Sequence, residues 1–219
     1  MMIGDINSWN LRDTHMVETL EGLIDFHKKE NNNKKSKAIV WAHNTHIGDA
    51  RFTDMAQSGM INIGQLVREK KGIQNTVLVG FSTYSGTGIA SEKWGTKMEI
   101  INVPPAREGS WDNILHNLNN DPDNIKKDKI IIFERDSAAD KIISKEDNYI
   151  NDKIYENRDQ RAIGVIYNSK YEKYGNYVPT ILSLRYDALL YIDSTNALNP
   201  LHIIPVEDKE PPETFPRGE

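Results

Sequence analysis

The apolar residues of this chain are concentrated in short runs that are separated by longer polar or amphipathic stretches. Five runs of five or six residues are rich in β-branched and aromatic side chains and are bounded by charged or small residues: 38–42, 76–81, 129–133, 162–167 and 188–193. Runs of this length and composition are typical of buried strands. We therefore expect a sheet with at least these members.

Helical patterns lie between the runs. Asp13 is positioned to cap a helix that reaches about Lys28, and Asn62 to Lys71 has an apolar face followed by Gly72. Ser110 is a suitable cap for a helix over 111–118, and residues 48–57 could form a short helix. The segment 83–103 alternates small and polar residues, which predicts a β-hairpin that turns near residues 92–95.

Strands that alternate with helices predict an α/β fold, with a mostly parallel sheet flanked by helices and a β-hairpin excursion. The pattern contains no internal boundary, so residues 1–205 are predicted to form one domain. Residues 206–219 are predicted to be a proline-rich tail.

Composition limits the classes of partner. The chain has 219 residues, of which 38% are hydrophobic and 27% charged, enough apolar residues for a globular core. Its net charge of -5 argues against nucleic acid or an anionic membrane surface as the main partner. With no cysteine, it can form neither a disulfide framework nor a thiolate metal site. No long apolar segment or basic leader is visible, so we expect a cytoplasmic protein.

The candidate chemistry follows the first apolar run, in the segment WAHNTHIGDAR at 41–51. Ligands of open α/β sheets bind beyond the carboxyl ends of the strands, where this segment is expected to lie. His43 and His46 are the candidate catalytic residues, because a neutral imidazole can take a proton from water and return it to a leaving group. The alternative is that both are loop histidines that donate to backbone carbonyls.

Metal binding is a second alternative for the histidine pair. The spacing His-x-x-His can place two nitrogens on one ion, but a site needs a third ligand, and Asp49 is the nearest carboxylate. No glutamate lies between the histidines, so neither a metal nor another cofactor is expected.

Two further residues are candidates for substrate binding. Arg12 could pair with a carboxylate or an oxyanion in a cleft, or else form a surface ion pair with Asp13 or Glu18. Asn44 could orient a histidine or donate to an oxyanion, or else serve only as a turn residue.

These residues are part of a wider resemblance. WNLRD at 9–13, VWAHNTHIGDAR at 40–51, VLVGFSTYSGT at 77–87 and RAIGVIYNS at 161–169 resemble the erythromycin esterase family, and the similarity extends over about residues 5–202. The resemblance implies a carboxylic ester hydrolase that opens the lactone of a macrolide such as erythromycin. It implies catalysis without a metal, by water that histidine and glutamate activate in a deep cleft, and therefore a role in antibiotic resistance.

The resemblance covers only part of the length of a family member. Family members are roughly twice as long, and this chain resembles only their second, C-terminal half, so we expect an incomplete family domain. The first half carries another histidine and the glutamates of the cleft. Two alternatives to an active hydrolase therefore stand: a non-catalytic remnant or half-protein that requires a partner chain, and a haem or small-molecule binding module in which His43 or His46 ligates iron.

Overall fold

The structure is a computed structural model that describes residues 6–32, 34–93, 95–118, 128–135, 142–143 and 154–199. Six α-helices are seen in these ranges: α1 Ile6–Glu30, α2 Asn44–Ile47, α3 Ile63–Lys71, α4 Trp111–Asn117, α5 Glu172–Gly175 and α6 Leu182–Arg185. Eight strands accompany them: β1 Val79–Ala90, β2 Glu99–Val103, β3 Lys129–Ile132, β4 Glu134–Arg135, β5 Ile142–Ile143, β6 Asn157–Arg161, β7 Tyr177–Ile181 and β8 Ala188–Thr195. No helix in the described ranges is both long and apolar enough to cross a bilayer.

The largest sheet has four strands in the order β2-β1-β8-β3, which confirms the α/β class. Only β1 and β8 are parallel, whereas β2 and β3 run antiparallel to their neighbours. The prediction of a mostly parallel sheet is therefore wrong. It assumed that the apolar runs are joined by helical crossovers, but β3 lies antiparallel beside β8, and the predicted hairpin adds β2 antiparallel to β1.

One face of this sheet carries the core. Leu189 and Tyr191 of β8 point into it, where they pack with Trp111 and Leu115 of α4 and with Tyr186. The indole of Trp111 donates to the carbonyl of Thr180, 2.9 Å away, so that the helix is also tied to β7. This packing fixes the sheet against α4 and the β6–β7 hairpin.

The opposite face of the sheet is apolar and exposed. The register places Phe81, Leu190 and Ile130 in one row across three strands, with Val79, Ala188 and Ile132 in the row beside it. Side chains of one row point to the same side of a sheet. Ile130 is 69% exposed and Ile132 is 62% exposed, so this side of the sheet is in contact with solvent.

Two of the predicted strands are not formed. Residues 38–42 have no regular structure, and Ile39 and Trp41 are 94% and 85% exposed. The apolar composition of this segment favours burial, but burial needs a surface to pack against. In the described part of the chain, the ring of Trp41 lies beside that of Phe81, 5.7 Å away, and stays largely exposed. In 162–167, only Ile166 makes a bridge, to Ser91, because the preceding polar segment pairs with β7 instead.

Other local predictions are confirmed. The hairpin joins β1 to β2, with Ala90 opposite Glu99 next to the turn. Asn62 caps α3 by accepting from the backbone N–H of Gln65, and Gly72 ends that helix with a φ of 81°. Ser110 caps α4 through the N–H of Asn113. The predicted tail at 206–219 lies outside the described residues.

Candidate functional site

The first predicted histidine, His43, has both ring nitrogens engaged. Its Nδ1 accepts from the backbone N–H of Thr45 at 3.2 Å and so caps α2. Its Nε2 lies 2.9 Å from the carbonyl oxygen of Ile163, which can only accept, so Nε2 carries the proton. In this geometry His43 ties the histidine loop to the segment that follows β6.

The environment of His43 favours the neutral ring. Although the residue has exposed atoms, protein packed around the imidazole lowers the pKa of His43 below its ordinary value. The hydrogen bond to Ile163 raises it by less, and the neighbouring His46 and Arg185 lower it further. A neutral ring is also what the cap requires, because a protonated Nδ1 would face the N–H of Thr45.

The second predicted histidine, His46, forms a pair with Asp13 of α1. Nδ1 of His46 lies 2.9 and 3.0 Å from the two oxygens of a fully buried carboxylate, which also accepts from the N–H of Ile63. Because a carboxylate accepts, Nδ1 carries a proton, so in the neutral ring the lone pair is on Nε2. Within the described ranges no hydrogen bond to Nε2 is found, and the side chain is 19% exposed. This nitrogen is therefore available as a base.

A tryptophan orients the ring of His46. Trp9 stacks on it with the ring centroids 4.5 Å apart and the planes 9° from parallel. The indole is held in turn by its own hydrogen bond to the carbonyl of Ile61, at 2.8 Å. The guanidinium of Arg12 lies over the same indole, 5.3 Å from its centroid. Arg12, Trp9 and His46 are thus neighbours on one surface, with the guanidinium exposed.

The predicted substrate-binding residue Asn44 is engaged with the sheet. Its side-chain amide donates to the carbonyl of Phe81 at 2.6 Å and accepts from the N–H of the same residue at 3.0 Å. The amide thereby occupies the outer edge of β1 as a neighbouring strand would. Contact of Asn44 with a substrate stays a prediction, and its observed role is to anchor α2 to β1.

Asp49, the carboxylate nearest the histidines in sequence, belongs to a buried ion-pair network. Arg51 binds it with two nitrogens at 2.9 and 2.7 Å, and Arg68 binds it at 3.1 Å and also pairs with Asp187. Burial raises the pKa of Asp49, but these two arginines lower it by more, so the carboxyl stays charged. In the described part of the chain, no three His, Asp or Glu side chains are grouped closely enough to hold a metal ion.

Asp13 and Trp9 are members of the site that the sequence patterns did not indicate. Asp13 was expected at the start of a helix, whereas α1 is already helical at Ile6 and the carboxylate points inward to His46. A signal was present: Trp9 and Asp13 are four residues apart, a spacing that puts two side chains on one face of a helix. What sequence spacing could not show is which distant histidine that face would meet.

A second histidine–aspartate pair lies at the other end of the sheet. Nδ1 of His116 is 2.7 Å from Asp193 at the end of β8, and the hydroxyl of Tyr191 donates to the same carboxylate oxygen. The ring of His116 stacks on Tyr84 of β1. Asp193 thus receives two hydrogen bonds from the core face of the sheet, an arrangement that holds α4 against β8.

Known proteins supply four comparisons, one with a family model and three with solved structures. The sequence model of the family described as erythromycin esterase matches residues 1–195. The solved structure of a Bacillus cereus protein aligns with a TM-score of 0.61 at 17% identity, covering 87% of this chain and 40% of that one. A succinoglycan biosynthesis protein aligns with a TM-score of 0.59 at 18% identity, covering 86% and 39%. An erythromycin esterase mutant in an open conformation gives 0.41 at 15% identity, covering 84% and 37%.

The first two alignments agree with the fold described above. They also show that this chain spans about two fifths of the length of these two solved proteins. Whether the matched part is the second half of the family stays a prediction.

Proposed function

The chain belongs to the erythromycin esterase family, and we propose that its histidine loop serves the hydrolysis of a carboxylic ester, with a macrolide lactone as the substrate class. The observation that carries the proposal is the pairing of His46 with buried Asp13 beside Trp9 and Arg12. A histidine whose one nitrogen is fixed by a carboxylate and whose other nitrogen is open is the arrangement that general-base catalysis requires.

In the proposed reaction, Nε2 of His46 takes a proton from water as the water oxygen attacks the ester carbonyl carbon. The C=O electron pair moves onto oxygen, and collapse of this intermediate breaks the bond to the alkoxide, which receives the proton from the imidazolium. The products are an acid and an alcohol, which in a lactone remain on one opened ring. Asp13 fixes the tautomer of the neutral imidazole and stabilises the imidazolium that forms. This general-base assistance contributes roughly 10²–10⁴-fold to the rate.

The neighbouring residues have separable roles in this proposal. The exposed guanidinium of Arg12 lies over the indole that stacks on His46, and its proposed role is to stabilise the negative charge of the intermediate. His43, held neutral and bonded at both nitrogens, positions the loop. Asn44 anchors that loop to β1 through its hydrogen bonds to the backbone of Phe81. We propose that it contacts the substrate only after these hydrogen bonds break.

This chain spans about two fifths of the length of the solved protein that it matches. The activity of a complete site is therefore part of what we propose. The family resemblance implies that a further histidine and glutamates act with these residues, and we propose that His46 works opposite such groups in a cytoplasmic enzyme that confers macrolide resistance. The alternative, a half-protein without catalysis of its own, is favoured by the exposed sheet face.

The test incubates the purified chain at high concentration with erythromycin and follows the addition of one water by mass spectrometry. Activity that is lost in His46→Asn and kept in His15→Asn, an exposed histidine of the same region, supports the assignment of the base. Absence of the water adduct counts against autonomous activity and favours the half-protein. Equal activity of His46→Asn and the unmodified chain would exclude His46 as the base.

A further inference from the structure

The exposed side of the four-stranded sheet is a surface of defined composition. We call it the open face and define it by its six large apolar side chains, beside which Ala188 and Thr83 lie in the same rows: Val79, Phe81, Ile130, Ile132, Leu190 and Ile192. Five of these six side chains are exposed to solvent, and Leu190, in the middle of the group, is half-buried. None of the six carries a charge or a hydrogen-bonding group.

Such a surface is costly in water. Each Å² of apolar surface removed from water contributes roughly 25 cal/mol, and contiguous apolar patches above a few hundred Å² mark interaction sites. A sheet with antiparallel strands can leave one face in water, but such a face is normally polar, whereas the open face is apolar. In this chain α4 covers one face, and no helix in the described ranges covers the other.

The apolar surface continues beyond the strands. Ile39 and Trp41 are almost fully exposed, and the indole of Trp41 lies beside the ring of Phe81, 5.7 Å away. This segment precedes α2, so the open face extends to the base of the histidine loop. A partner that covers the open face would therefore also contact the chain next to His43.

The comparisons indicate what would cover this face. Two solved proteins match nearly all of this chain at TM-scores of 0.61 and 0.59, yet it accounts for only 40% and 39% of their lengths. About three fifths of the length of these two proteins therefore lies outside the part that matches this chain. A second copy of this chain would repeat the same two fifths and would supply none of that remainder.

We propose that the open face binds the remaining part of the erythromycin esterase fold, presented as a polypeptide with amphipathic helices whose apolar sides pack on β1, β8 and β3. Helices are the elements that cover the faces of sheets in the α/β class. The proposal rests on the family membership and on the open face, and it is independent of the catalytic role of His46.

The test uses the polypeptide encoded by the coding sequence that adjoins that of this chain, upstream or downstream, co-expressed with the full chain. We expect a 1:1 complex by size-exclusion chromatography with light scattering. Ile130→Lys combined with Ile132→Lys should weaken the complex at least tenfold, because two charges would be buried in an apolar contact. Leu23→Lys, an exposed leucine of α1, is the matched control and should leave the affinity unchanged.

Circular dichroism and urea unfolding of each variant distinguish a loss of folding from a loss of binding. Three outcomes would overturn the proposal: no 1:1 complex with any adjoining product, a complex that the lysine pair leaves intact, or a homodimer that the lysine pair dissociates. Because complex formation is measured without substrate, an inactive complex would count against the proposed hydrolysis and not against the docking.

Discussion

Asp13 and His46 are 33 residues apart in the sequence, and the carboxylate of the first lies within 3.0 Å of Nδ1 of the second. The pair joins α1 to the histidine loop inside the protein, and the same carboxylate holds the first residue of α3 through the N–H of Ile63. One buried side chain therefore fixes three elements and determines the tautomer of the proposed base.

Replacement of Asp13 by Asn should abolish this control. An amide in place of the carboxylate cannot stabilise an imidazolium, so the rate of ester hydrolysis should fall by roughly 10²–10⁴-fold. Ring ¹⁵N chemical shifts of His46 test the same point without turnover: the unmodified chain should show a protonated Nδ1, and D13N a mixture of tautomers. A single unchanged tautomer in D13N would contradict the orienting role.

Trp9 should contribute to stability in two separable ways. Trp9→Phe removes the hydrogen bond to Ile61 and should cost about 1 kcal/mol of unfolding free energy. Trp9→Ala also removes the stacked contact with His46, a further loss of about 0.5–1.5 kcal/mol beyond the lost area. Urea unfolding monitored by far-UV circular dichroism measures both. Equal stabilities of W9F and W9A would show that the stacking contributes nothing.

The pKa of His43 predicts a direction for the dependence of stability on pH. Because the folded chain holds that pKa below its unfolded value, the unfolded state binds protons first as the pH falls. The contribution is complete above the unfolded value, near 6.5, and is lost as the pH decreases through the lowered folded value. His43→Asn should make the unfolding free energy depend less steeply on pH below about 6.5.

The measurement is a series of urea unfolding curves at several pH values. His15→Asn is the control, since that residue is exposed and should leave the slope unchanged. A slope in H43N as steep as that of the unmodified chain would exclude His43 as the cause.

The arginines that bind Asp49 should differ greatly in their effects. Arg68 is 1% exposed and also binds Asp187, so Arg68→Gln leaves buried charge without its partner and should cost about 3–5 kcal/mol. Arg51 is 39% exposed, and Arg51→Gln should cost below about 1 kcal/mol. Chemical unfolding of the two variants gives the comparison. Similar losses would show that exposure does not determine the strength of these ion pairs.

Gly64 should tolerate no larger residue. A Cβ at this position would lie 2.2 Å from the carbonyl oxygen of Ile47, a contact with backbone that no rotamer change can relieve. Gly64→Ala should therefore cost about 1–3 kcal/mol or more, through displacement of α2 from α3. Gly22→Ala is the control, because no atom lies within 4 Å of its Cβ. A normal melting temperature for G64A would show that the two helices separate easily.

Features of the sequence that depend on local chemistry were predictable. Asn62, Ser110 and Gly72 mark helix ends through their own hydrogen bonds or conformations, and the hairpin follows from the spacing of its small residues. The two histidines were identified from their position in the chain. Each of these signals is contained within a few residues, so no knowledge of the fold was needed.

Features that depend on distant partners were not predictable in the same way. The run 38–42 has the composition of a strand but no strand beside it, and Gln160 and Arg161 are buried in a strand without apolar residues. The carboxylate that His46 needs comes from a helix 33 residues earlier. The residue pattern of a segment indicates which secondary structure it favours. Whether the segment pairs or becomes buried depends on the residues that the rest of the fold places opposite it.

The stacking of Trp9 on His46 has a practical consequence. An imidazolium in van der Waals contact with an indole accepts an electron from the excited state and quenches its emission far more strongly than a neutral imidazole does. The fluorescence of Trp9 should therefore report the charge on His46 directly, with W9F giving the background of the other tryptophans. The chain thus contains its own optical probe of the nitrogen on which the proposed chemistry depends.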